Sequence, residues 1–235
     1  MRNIVNFPGV RVEDITFMEG KKGPYAVINA VETKTGSSYQ FLAYDELSEF
    51  AKKSHIRKGD HLNVSGYMQR YTKHLKEGVT DMRTSIIIQN LYNMGDLGEK
   101  KQMANSVCFF DLEILPQADG APYKISNGPL VISTHETSVG SQRIKLVAFD
   151  GMMKVIQDMQ LRVGEHVSVK GTLQKYEMQT KDGRKTYPVT CKVSEIEKLS
   201  VQATVAEQKT EELPTMKARP SQNGIFSSTP KKSFG

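Results

Sequence analysis

The stretch Lys58-Gly59-Asp60-His61-Leu62-Asn63-Val64-Ser65-Gly66-Tyr67-Met68-Gln69-Arg70-Tyr71 returns 105 residues later as Val163-Gly164-Glu165-His166-Val167-Ser168-Val169-Lys170-Gly171-Thr172-Leu173-Gln174-Lys175-Tyr176. Six columns are identical: Gly59/Gly164, His61/His166, Val64/Val169, Gly66/Gly171, Gln69/Gln174 and Tyr71/Tyr176. Between them character is kept, with Asp60 against Glu165, Leu62 against Val167, Met68 against Leu173 and Arg70 against Lys175. Apolar and polar residues alternate along both copies, the period of a half-buried strand. Gly66 and Gly171 interrupt the two strands at the same point. A glycine inside a strand marks a bulge or tight bend, which a small barrel needs where one strand is shared between two sheets.

The same register extends upstream through Gly23-Pro24 and Gly128-Pro129, Ala43 and Ala148, Asp45 and Asp150, and Arg57 and Arg162. Downstream it takes in Lys76 with Lys181 and Gly78 with Gly183. A period of this length makes each copy a whole domain and not a solenoid unit. The predicted domains are residues 1–98 and 103–200, with the boundary within 95–103. Residues 201–235, rich in Pro, Ser, Thr and Lys, form a basic tail predicted to be disordered.

Each copy reads as strand, strand, strand, helix, strand, strand. Residues 25–31 and 39–44 are strand-like, as are 130–134 and 143–149. Asp45 is the predicted helix N-cap, and Leu47, Phe50 and Ala51 make the apolar face that follows it. Asp150 opens the equivalent helix, whose Met152, Met153, Ile156 and Met159 are predicted to pack on the core. Hairpin tips at Lys76-Glu77-Gly78 and Lys181-Asp182-Gly183 lead into final strands at 84–91 and 187–196. Five strands with a helix between the third and fourth is the order of the OB fold. The predicted class is therefore all-β with one short helix per domain: two tandem OB-fold five-stranded barrels.

Composition narrows the setting. Apolar residues make up 38% of the chain and charged residues 25%, enough to bury a core in most of it. The formal charge of +6 favours polyanionic partners without specifying one. The N-terminus lacks the apolar stretch of a secretion signal, and no run of about 18 apolar residues occurs, so a soluble cytoplasmic protein is expected. Cys108 and Cys191 are the only cysteines, too few for a disulfide framework or a four-ligand zinc site, and are expected to be buried and reduced. No metal or cofactor is expected.

The second copy resembles the bacterial-type single-stranded DNA-binding proteins. The resemblance rests on Leu146-Val147-Ala148-Phe149-Asp150, then residues 163–173, then Lys181-Asp182-Gly183-Arg184-Lys185-Thr186-Tyr187, and on the closing residues 193–199. The first copy matches more weakly, through Arg57-Lys58-Gly59 and Val64-Ser65-Gly66. The resemblance implies a non-catalytic coat for single-stranded DNA in replication, recombination, repair or DNA transfer, nucleoid-associated in the cell. It also implies a homodimer, because the family assembles four OB folds. The chain departs from the family in three ways. It contains no Trp. Its hairpins at 35–38 and 139–142 are short. Its tip, Lys231-Lys232-Ser233-Phe234-Gly235, is basic where the family carries an acidic, partner-recruiting end.

Binding a strand without sequence choice needs flat rings for bases and cations for phosphates. In the first copy the candidates are Tyr39, Tyr44, Tyr67 and Tyr71, with Arg70, Lys73, Lys76 and Arg83. In the second they are Phe149, Tyr176 and Tyr187, with Arg143, Lys145, Lys170, Lys175, Arg184 and Lys185. The resemblance places a stacking aromatic at the column of Tyr44 and Phe149, and a tyrosine like Tyr187 after the hairpin glycine. An aromatic on a strand belongs as readily to the core as to the surface. His61 and His166, one per domain and flanked by apolar residues, read as surface-strand residues and not as metal ligands.

Other readings share this pattern. Stacking and phosphate contacts serve single-stranded RNA equally. An OB-fold nuclease needs clustered carboxylates to hold a metal, and the recurring acids are Asp45/Asp150, read as helix caps, and Asp60/Glu165 in an exposed turn. A protein-binding adaptor would use the tail, carrying Phe226 or Phe234 to a partner.

Overall fold

The computed structural model describes residues 2–74, 80–95, 104–126, 128–136, 142–176, 178–179, 183 and 185–200. The first copy contains β1 (Ile4–Gly20), β2 (Gly23–Glu32), β3 (Ser38–Tyr44), α1 (Glu46–Lys53), β4 (His61–His74) and β5 (Thr80–Asn93). The second contains β6 (Ser106–Leu115), β7 (Lys124–Ile125), β8 (Leu130–Glu136), β9 (Gln142–Ala148), α2 (Asp150–Asp158), β10 (His166–Lys175), β11 (Met178–Gln179), β12 (Lys185–Thr186) and β13 (Val189–Lys198).

Both copies close in the same way. β1 pairs with β2, β2 with β3, β3 in parallel with β5, β5 with β4, and β4 back with β1. In the second copy the circuit is β6, β8, β9, β13 (parallel to β9) and β10, returning to β6. Each is a five-stranded OB barrel, with its helix between third and fourth strands. The inward residues of alternating strands fill the interiors. Phe7, Ile28, Phe41 and Met68 occupy the first and Phe109, Ile132, Leu146 and Leu173 the second, all essentially inaccessible. Each such side chain contributes roughly 1.5–3 kcal/mol by leaving water.

The glycines in the fourth strands work as the sequence indicates. The β4–β5 register shifts between Ser65 and Gly66, and the β10–β13 register between Lys170 and Gly171. A Cβ on Gly66 would stand 1.9 Å from the Ile87 carbonyl oxygen, and one on Gly171 would stand 2.2 Å from that of Lys192. Only glycine lets the partner backbone approach this closely at the bend.

The acids that open the two helices have a different task from the one expected. Asp45 sits at the N-cap of α1, but its side chain makes no capping hydrogen bond. Asp45 and Asp150 both have positive φ, 49° and 45°. Aspartate tolerates that backbone better than most residues. The Asp45 N–H donates to the Pro24 carbonyl at 2.9 Å, which ties the helix start to Gly23-Pro24. Three further expectations change. Phe50 is exposed. His61, expected on the surface, is buried, because β1 runs beside it at Arg11 and the Met94 N–H binds its carbonyl. Cys191 is buried and Cys108 only half-buried, both as free thiols.

The two barrels are knitted into one compact unit, Met1–Val201. β1 pairs antiparallel with β6 through Ile4–Cys108, Val5–Val107 and Asn6–Ser106, making one eleven-stranded sheet. Two buried amides cross the junction. The Asn3 side chain accepts from Met68 N–H at 2.7 Å and donates to the Met68 carbonyl and to Glu136 of the other barrel. Asn105 does the same with Leu173 N–H and carbonyl, and donates to Glu32. Glu32 and Glu136 are each 1% exposed, so these donors supply what water cannot. The hairpin at 139–142 and the boundary at 95–103 fall largely outside the described residues, as does the whole 201–235 tail.

Candidate nucleic-acid interface

Strand parity decides which side chains leave the barrels. On the first, Tyr25 lies opposite Tyr44, Asn29 opposite Gln40, and Tyr71 opposite Arg83, all on the outer face. The Tyr25 and Tyr44 ring centroids are 5.9 Å apart. Tyr44 is 44% exposed, and burial together with the neighbouring Tyr67, Tyr25 and Tyr71 hydroxyls raises its pKa. Tyr67 is half-buried, with the Arg2 guanidinium 4.6 Å above its ring. Tyr71 is 36% exposed and its hydroxyl donates to Gln40 Oε1 at 3.0 Å.

On the second barrel the outer face carries Arg143 and Lys145 on β9, both exposed, and Phe149 just beyond it. Lys192 of β13 projects over the Phe149 ring, 5.3 Å from its centroid. A ring capped by a cation, on a face that carries two more cations further along β9, suits a strand whose bases stack while its phosphates are neutralised.

Between the barrels the two faces run into one groove of about 920 Å³. Arg70, Arg83, Arg143, Lys145 and Lys175 line it, together with Tyr39, Tyr71 and Tyr187, and among the described residues no carboxylate lines it. Cations gathered in a cleft with low-dielectric walls focus positive potential along it. Arg70 and Lys175 hold the groove in shape. Arg70 crosses from β4 to donate to the carbonyls of Arg143 and Val189, and Lys175 crosses from β10 to donate to the Ser38 carbonyl at 2.6 Å. Burial lowers the pKa of both cations.

Measured against this geometry, the candidate residues divide. Tyr39 is a core residue and not a stacking platform: it is 3% exposed, its ring packs 4.8 Å from Phe7, and its hydroxyl donates to the Leu173 carbonyl. Its strand neighbour Gln40 faces out in its place. Arg70 and Lys175 have their donors directed at backbone carbonyls, so they shape the groove before they meet any phosphate. Lys170 lies outside the groove lining, and its ammonium pairs with Glu195 at 2.6 Å. Tyr176 is exposed and near enough to Arg70 to influence its charge, but does not line the groove. Lys73 is on β4 and Lys185 on β12. Lys76 and Arg184 lie outside the described residues. Sequence reasoning passed over Arg2, Tyr25 and Lys192. The register of the β2–β3 hairpin could have found Tyr25 opposite Tyr44. Lys192 joins Phe149 only through the parallel β9–β13 pairing, which no local pattern announces.

The recurring acids have structural partners. Asp60 Oδ2 accepts from Arg57 N–H at 3.0 Å and Glu165 Oε2 from Arg162 N–H at 2.9 Å, closing the same turn in each copy. Glu165 also pairs with Lys198 at 2.6 Å. His166 Nδ1 lies 2.6 Å from Asp111 Oδ1.

Solved structures with this arrangement cover nearly the whole chain. A deletion mutant of the single-stranded DNA binding protein from Thermus aquaticus superposes with a TM-score of 0.63 over 88% of this chain and 98% of its own, at 10% identity. The chain has a tandem OB fold. The wild-type protein from the same organism matches with a TM-score of 0.58 at 11% identity, over 85% of this chain and 93% of that one. No protein-family profile and no curated protein matches the sequence. At this identity the likeness is one of backbone, so the function of these OB barrels has to be argued from their own side chains. No helix among the described residues is long and apolar enough to cross a membrane.

Proposed function

We propose that this chain binds single-stranded DNA without sequence preference and without chemistry, as a coat that holds the strand open. The observation that carries the proposal is the groove between the barrels, which among the described residues is lined by five cations and no carboxylate and bordered by exposed Tyr71 and Tyr187. Each phosphate neutralised there releases counterions, and each base laid on a ring contributes roughly 1–3 kcal/mol. The fold shared with the Thermus protein points the same way. Two OB barrels span about 8–32 nucleotides by the usual range per fold. We further propose that two chains associate to bring four barrels to one strand.

A non-enzymatic role is favoured because, of the acids that recur in both copies, Asp60 and Glu165 accept from backbone N–H groups to close turns, and the positions of Asp45 and Asp150 are explained by positive-φ backbone at the helix starts.

The test is a fluorescence titration with an unstructured oligodeoxynucleotide at several salt concentrations, with duplex and matched RNA as competitors. Affinity that rises steeply as salt falls, with duplex competing poorly, supports the proposal. Salt-independent binding or equal preference for duplex removes it, and stronger competition by RNA reassigns the strand. Light scattering at micromolar concentration tests the two-chain assembly.

A further inference from the structure

The duplicated barrels present the same lattice of outward positions, and the residues filling it differ in kind. In the first, β2–β3–β5–β4 pairing aligns Val27, Leu42, Ile87 and Tyr67 in one row. In the second, the matching row is Val131, Val147, Lys192 and Thr172. The next row exchanges Gln40 of the first barrel for Lys145 of the second, and the row after it Ser38 for Arg143. Rings follow the opposite trend. Tyr25, Tyr44, Tyr67 and Tyr71 all stand on the first face, with the Tyr25 and Tyr44 rings 5.9 Å apart and the Tyr71 hydroxyl on Gln40 of the same strand as Tyr44. The second face has Phe149 under Lys192, with Tyr176 at the far end of β10 and Tyr187 on the groove, set apart from one another and not gathered on one strand pair.

We infer that the two barrels grip the strand by different forces: the first holds bases on a tyrosine platform, and the second holds phosphates on Arg143, Lys145 and Lys192. This rests on the single-strand reading above and goes beyond it, because rings and cations on equal faces would have made the two barrels interchangeable. Stacking is nearly independent of salt, whereas each phosphate neutralised on a single strand steepens the dependence of log affinity on log salt by about 0.7. The barrels therefore leave separate signatures in one titration series.

The experiment compares the full chain, Tyr44→Ala/Tyr71→Ala, and Arg143→Ala/Lys145→Ala/Lys192→Ala, each titrated with a labelled oligothymidylate and with an abasic strand of equal length. All five side chains are exposed, and thermal melts confirm that each variant is folded. The tyrosine pair should weaken oligothymidylate binding by roughly 5- to 150-fold per lost stack while leaving the salt slope intact, and should bind the abasic strand as the unaltered chain does. The cation triple should lower the slope by about 2 on both strands. Equal slope changes in the two variants, or a tyrosine pair that weakens abasic binding as much as oligothymidylate binding, overturns the division while leaving the single-strand reading in place. Failure of the unaltered chain to bind oligothymidylate overturns that reading, and the division falls with it.

Discussion

Asn3 and Asn105 make the same three-way contact from opposite barrels: each clamps the backbone of its own fourth strand, at Met68 or Leu173, and caps a buried glutamate of the other barrel, Glu136 or Glu32. Removing either amide leaves a buried carboxylate and a strand N–H without that partner. Asn3→Ala and Asn105→Ala should each lower stability by about 1–3 kcal/mol, read as a shift in urea midpoint. A shift within experimental error in both would mean that the amides are not what joins the barrels.

Tyr39 and Tyr71 separate stability from binding. Tyr39→Ala empties a core site beside Phe7 and should cost about 3–5 kcal/mol. Tyr39→Phe, losing only the bond to the Leu173 carbonyl, should cost about 0.5–1.5 kcal/mol with oligonucleotide affinity unchanged. Tyr71→Ala should do the reverse, sparing the thermal midpoint and weakening the strand. Paired melts and titrations on the three variants check this.

Gly66→Ala and Gly171→Ala drive a methyl group into a partner carbonyl and not into a yielding side chain. Each should destabilise its barrel by at least 1–3 kcal/mol, about the cost of overpacking, measured by calorimetry. Gly36→Ala has open space around its Cβ but a φ of +69°, so its smaller penalty comes from the backbone alone and serves as control.

Cys191 predicts an alkaline limit. Burial pushes its thiol up to about 12 from an ordinary value of 9.0. The unfolded chain releases this proton first, so stability is unaffected below about pH 9 and declines as pH rises from there towards 12. At pH 8 a thiol reagent should label half-buried Cys108 in the folded chain and reach Cys191 only with unfolding. Labelling Cys191 as fast as Cys108 under native conditions would contradict the burial.

Much of the fold was legible because it rests on spacing. The 105-residue register, the interrupting glycines and the period-two strands each carry their constraint in local sequence. The two β-circuits follow once five strands and a helix are in order. The site was less legible, for reasons visible at single residues. Tyr39 and Tyr44 share a strand, and only the parity of β3 against β2 sends one inward and the other out. Arg70 and Lys175 look like free cations until the opposite barrel supplies the carbonyls that each binds. Lys170 is paired with Glu195 across a bulge that shifts its register. Asp45 resembles a cap by position, and only its positive φ shows that the backbone, and not the side chain, selected it.

The junction at Val5 and Val107 has a consequence for how this molecule can change. When two identical subunits meet about a twofold axis, every mutation appears on both sides and one surface must serve twice. Joining the halves covalently and splicing their first strands keeps the pseudosymmetric frame while releasing each half from its mirror. A lysine can then be gained at position 145 without being imposed on Gln40, and inheritance acts on each half separately.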